Sequence, residues 1–79
     1  MTPEQARTAV SESLLRVAPE AELDRLGWEE DLREALDLDS LDFQAFLAEL
    51  SARSGHRIDE EDYGRLSSMA GCVRFLTGR

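Results

Sequence analysis

The run Leu36-Asp37-Leu38-Asp39-Ser40-Leu41-Asp42-Phe43 gathers the residues of this chain whose types and spacing can do chemistry. Phe43, Phe46, Leu47 and Leu50 recur at i, i+3, i+4 and i+7, the apolar stripe of a helix, which makes Asp39 the expected N-cap and sets Ser40 at the helix mouth. Helix mouths carry backbone N–H groups with no intrahelical partner and the positive end of the macrodipole, so a phosphate ester on Ser40 is well placed there. The flanking acids work against a second anion, and the site is poor for capturing free phosphate. It suits a serine esterified by another enzyme, because no base stands near Ser40 to activate it.

Other chemistries fit these residues less well. A calcium loop starting at Asp37 would put Asp42 where glycine is needed and Ala48 where the bidentate glutamate belongs. Cys72 is the only cysteine and His56 the only histidine. That excludes an intrachain disulfide and a multi-cysteine zinc site. Cys72 falls on an apolar stripe, where a buried thiol is expected, and His56 is read as a solvated side chain in a loop. No convergent acid, base and nucleophile is present, so the chain is not read as an enzyme. A bare Asp-Ser-Leu also leaves open an ordinary capping or turn role for Ser40.

The elements that must position Ser40 follow from punctuation and periodicity. Thr2, Pro3 and Gln5 form an N-terminal helix signal with a possible capping box, and Ala6, Val10, Leu14 and Val17 give the first helix a core face that Pro19 ends. Residues 18–38 form a long connection. Leu23 and Leu26 suit a short turn, Gly27 breaks the pattern, and Trp28, Leu32 and Leu36 recur at fourfold spacing. It reads as a lid with one or two helical turns over the bundle. Gly55 closes the helix that Ser40 opens, and an extended piece from His56 to Ile58 follows, with Ile58 inward. The acids Asp59, Glu60, Glu61 and Asp62 lead into a short helix weakened by Gly64, with Tyr63 and Leu66 as its apolar contacts. Ser67 or Ser68 caps a last helix whose buried stripe is Met69, Cys72, Val73 and Leu76, and Gly78 ends it. Phe43, Phe46 and Trp28 are read as core or core-covering residues. The expectation is all-α: a small four-helix bundle of three main helices and one short one, with a long first connection, forming a single domain over residues 1–79.

Composition narrows the partners. With 79 residues and 42% hydrophobic content the chain can pack one small core. No apolar run is long enough for a transmembrane helix, and the N-terminus does not read as a secretory signal, so the expected location is cytoplasmic, without stable membrane insertion. Seventeen acidic residues against nine basic ones leave a net charge of −8, which disfavours nucleic-acid binding. This acidic protein is either simply kept soluble by its charge or meets basic patches on partner proteins.

The Asp39-Ser40-Leu41 core resembles the attachment motif of acyl and peptidyl carrier proteins. The order of helix, long connection, motif-opened helix, short helix and final helix is similar to that family over roughly residues 2–78. The run through Phe43, with Glu61-Asp62-Tyr63 and Gly71-Cys72-Val73, resembles small free-standing bacterial carriers. The resemblance implies a 4'-phosphopantetheine arm from coenzyme A on Ser40, placed by a Mg2+-dependent phosphopantetheinyl transferase. Acyl or aminoacyl groups would ride as thioesters on its terminal thiol. It also implies partner contacts at Asp39, Leu41 and Asp42, loading and downstream biosynthetic enzymes as partners, and a monomeric shuttle. Fatty-acid, polyketide, nonribosomal-peptide and specialised lipid routes all use carriers of this shape. Many fatty-acid carriers continue acids along the exposed face of the motif helix; here Gln44, Ala45, Ala48, Ser51 and Ala52 are expected there, so docking charge falls to Asp37, Asp39 and Asp42 or to residues 59–62. The alternative function is an unmodified carrier-like adaptor or regulatory subunit that docks a basic partner. It has no need of Ser40 between Asp39 and Leu41.

Overall fold

A computed structural model describes residues 1–78, and within them every regular element is helical. Helix α1 spans Pro3–Val17, a single turn α2 spans Leu32–Ala35, α3 spans Ser40–Ser54 and α4 spans Met69–Leu76. A 3₁₀ turn at Leu23–Arg25 and a 3₁₀ helix at Glu60–Leu66 complete the order. This is the expected small all-α bundle, with the Glu60–Leu66 segment as its short member.

The boundaries of α1 have local causes. The Gln5 N–H donates to Thr2 Oγ1 at 3.1 Å and the Thr2 N–H donates to Gln5 Oε1 at 3.0 Å, closing the capping box. At the other end Ala18 leaves the helical region at φ −139°. The ring of Pro19 disfavours helical backbone in the residue before it. Ala6, Val10 and Leu14 are fully buried, and α1 packs against both α3 and α4.

The connection from α1 to α3 is pinned rather than loose. The Leu32 N–H donates to the Ser67 carbonyl at 2.8 Å, and the Ala70 N–H donates to the Trp28 carbonyl at 2.9 Å. These bonds tie the connection to the start of α4. Leu32 and Leu38 enter the core, while Leu23, Leu26 and Leu36 pack on its edge. Leu38 has no place in the fourfold pattern of Trp28, Leu32 and Leu36, which is why periodicity does not reveal it.

Helix α3 ends at Gly55, whose φ of 75° is left-handed and favours glycine. The Ser51 hydroxyl donates to the His56 carbonyl at 2.7 Å and fastens the turn that follows. The chain then runs without regular structure to Asp59, with Ile58 packed on the core. Ser68, of the two candidate serines, caps α4 by accepting the Gly71 N–H at 3.0 Å. Cys72, Val73 and Leu76 are buried, and Met69 lies half-buried at the core edge.

Three expectations need correction. Trp28 is 44% exposed and lies outside the core, with the Arg7 guanidinium 5.7 Å from its ring centroid. Its ring lies at the surface beside this α1 arginine, and its backbone carbonyl accepts the Ala70 N–H of α4. His56 is half-buried, not freely solvated: its ring lies 6.3 Å from that of Phe75 and its N–H donates to Ser54 Oγ. Ser51 is half-buried by its bond to the His56 carbonyl, leaving Gln44, Ala45, Ala48 and Ala52 as the exposed, uncharged residues of that set.

Candidate functional site

Asp39 caps α3. Its Oδ1 accepts the Asp42 N–H at 2.8 Å, and Asp42 Oδ2 accepts the Asp39 N–H at 3.4 Å. The Phe43 N–H reaches the Asp39 carbonyl at 2.9 Å, so the helix begins without a gap. The reciprocal role of Asp42 was legible only as a spacing: an acid three residues after a capping acid is a variant of the capping box.

Because Asp39 caps the helix, Ser40 does not. It occupies the first helical position, is exposed, and its hydroxyl makes no hydrogen bond among the described residues. The backbone N–H groups of Ser40 and Leu41 are also without partners there, as expected for the first turn of a helix. A phosphodiester on Ser40 Oγ fits this place: the oxygen is accessible, unpaired donors lie beside it, and the helix dipole favours the negative charge.

Leu41 is 74% exposed, the most exposed of the large apolar side chains described. Asp37 adopts φ 55° and turns the chain between α2 and Asp39. Aspartate tolerates left-handed backbone better than most residues, a signal that sequence inspection could have used. The structure thus brings Asp39, Ser40, Leu41 and Asp42 together on one helix turn. It places the acids Asp59 to Asp62 at a different helix start, where the Asp59 N–H donates to Asp62 Oδ2 at 3.0 Å.

Cys72 stands apart from this site. It is fully buried and its thiol donates to the Leu66 carbonyl at 3.4 Å. Burial pushes its pKa up from 9.0 to about 12. The folded-state value lies above the unfolded one, so the stability gained by keeping this thiol neutral is full below pH 9 and is lost as pH rises toward 12. At pH 8 burial keeps the folded thiol in its neutral form. Folded protein without the arm is therefore expected to resist an aromatic disulfide reagent at pH 8, while protein unfolded in guanidinium reacts completely. Absorbance of the released thiolate checks this, and rapid reaction of the folded form would show an accessible thiolate.

Residues 8–76 match the family model described as the phosphopantetheine attachment site. Comparison with curated proteins and with solved structures found no match. The family match spans nearly the whole chain, and domains of this family are non-catalytic supports for a 4'-phosphopantetheine group. With a capped helix presenting an exposed serine and a match over nearly the whole chain, the chain belongs to the phosphopantetheine-carrying acyl carrier protein family.

Proposed function

We propose that Ser40 is the residue that bears the arm, and that the chain delivers acyl or aminoacyl thioesters to separate biosynthetic enzymes. The observation that carries this is the division of labour at α3, where Asp39 takes the capping role and leaves the Ser40 hydroxyl exposed and unengaged. When bound, the group supplies a mobile terminal thiol for thioester formation. The chain's own residues hold the attachment point rigid, offer N–H groups to its phosphate, and keep Cys72 out of competition. Leu41 presents an apolar grip to the transferase, and Asp39 and Asp42 present charge to basic partner surfaces. The reading extends to one cytoplasmic, monomeric domain.

The aromatic packing bears on the cargo. Phe43 lies 5.9 Å from Phe46 and 6.1 Å from Tyr63 between ring centroids, so these rings fill the space between α3 and the 3₁₀ helix. We read the cargo as short, or as held outside the bundle.

The test is site mapping. After incubation with coenzyme A, Mg2+ and a phosphopantetheinyl transferase, cleavage at arginine releases residues 34–53, and fragmentation is expected to place the added group on Ser40. Placement on Ser51, or no modification of folded protein by an active transferase, rejects the assignment; the second result favours the adaptor.

The reciprocal cap changes how the acids should be probed. Asp39→Lys removes both charge and cap, whereas Asp39→Asn keeps a good capping oxygen. Asp39→Asn is expected to fold with little loss of stability yet slow transferase modification by up to about fivefold, the worth of one rim charge contact. Asp39→Lys is expected to slow modification further. Initial rates from intact mass check this, and unchanged rates in both variants would remove Asp39 from the docking surface.

A further inference from the structure

Arg33 stands in the most acidic stretch around the site, among Asp31, Glu34, Asp37, Asp39 and Asp42, yet pairs with none of them among the described residues. This sets it apart. Arg16, Arg25, Arg53, Arg57, Arg65 and Arg74 each lie within 4.0 Å of a carboxylate. Three of the nearby carboxylates are otherwise engaged: Asp31 accepts the Glu34 N–H at 3.0 Å, and Asp39 and Asp42 serve the backbone of α3. The guanidinium of Arg33 instead lies 5.7 Å from the ring centroid of Phe43.

Phe43 is three residues after Ser40 on α3, so the two share a helix face, with Cβ atoms about 5–6 Å apart. Helical side chains lean toward the N-terminus, which directs the Phe43 ring, and the cation on it, toward the turn that Ser40 opens. The backbone holds the same arrangement, because the Arg33 carbonyl accepts the Leu38 N–H at 2.9 Å, two residues before Ser40. A planar guanidinium resting on an aromatic face keeps its N–H edge free for a phosphate oxygen.

We propose that Arg33 is the chain's own anchor for the phosphodiester joining the arm to Ser40, held in place by Phe43. This rests on the assignment of the arm to Ser40. The ester creates a permanent anion one helix turn from the ring on which the Arg33 cation rests, and the Ser40 and Leu41 N–H groups supply the remaining donors. The consequence is a fixed base to the arm, with mobility concentrated in its distal part. Arg33→Lys keeps the charge but loses the planar fork, so it should hold the phosphate less firmly.

The experiment uses full-length protein carrying the arm, made as wild type, Arg33→Gln and Arg33→Lys. Arg33 is exposed, and the far-ultraviolet circular dichroism of each unmodified protein verifies folding. Two readouts are taken: the phosphorus NMR linewidth, and the shift of the Arg33 Nε–H resonance on modification. The expected result is a wild-type phosphorus line broader than that of the arm in Arg33→Gln, an intermediate line in Arg33→Lys, a displaced Arg33 resonance, and narrowing of the wild-type line at high salt. A protein modified on Ser40 whose phosphorus line is the same in wild type and Arg33→Gln overturns the anchor alone. A wild type that takes no arm, or takes it elsewhere than Ser40, overturns both this inference and the assignment beneath it.

Discussion

Gly71→Ala is expected to destabilise the bundle by about 3 kcal/mol, although glycine to alanine within a helix ordinarily stabilises by about 1 kcal/mol. Gly71 lies in the first turn of α4, where a Cβ would overlap the carbonyl oxygen of Arg65. That oxygen belongs to the backbone of the Glu60–Leu66 helix and cannot swing aside as a side chain would. Relief requires α4 to move away from that helix, at the contact where Leu66 and Cys72 are both buried. Gly64 is the internal control, since a Cβ there meets nothing within 4 Å. Gly64→Ala is therefore expected to be neutral or mildly stabilising. Urea unfolding followed by circular dichroism separates the two. Equal effects at both glycines would show that α4 can slide freely on the 3₁₀ helix. A loss of about 3 kcal/mol is a large part of the about 5–15 kcal/mol typical of whole domains, so the variant should be partly unfolded near its melting range.

The second large effect is chemical. Ser40→Ala is expected to abolish attachment of the arm completely while leaving stability within about 0.5 kcal/mol, because the hydroxyl supports no internal bond and alanine is a good helix former. No other serine or threonine lies within ten residues of Ser40 in the chain. Ser51 donates to the His56 carbonyl at 2.7 Å, Ser54 accepts the His56 N–H at 3.2 Å, and Ser68 accepts the Gly71 N–H at 3.0 Å. Thr2 caps α1, Thr77 donates to the Val73 carbonyl, and Ser13 is buried. Loss of modification with retained folding distinguishes the removal of an attachment point from the removal of a structural residue.

Much of this was legible in residue order. Thr2 with Gln5, Pro19, Asp39 and Gly55 act through local backbone geometry, so their effects follow from a few neighbouring residues and match the helix ends that formed. The apolar stripe of α3 likewise depends only on helical spacing, and Phe43, Phe46, Leu47 and Leu50 are all buried. What stayed hidden depends on contacts between distant segments. The bonds from Leu32 and Ala70 that pin the connection link residues far apart in the chain, and they decide that Leu38 turns inward while Trp28 stays out. His56 is covered by Phe75 from another element, which no local rule anticipates. At the site, the motif pointed to Ser40 and Asp39, whereas the placement of Arg33 over Phe43 required the fold of the connection.

The central claim is that Ser40 carries the arm. The most direct test is intact mass of wild type and Ser40→Ala after incubation with coenzyme A, Mg2+ and a broad-specificity phosphopantetheinyl transferase. A gain of one phosphopantetheine unit is expected on the wild type and none on the variant. A gain on both proteins, or none on folded wild type in the presence of a transferase that modifies a control carrier, would contradict it.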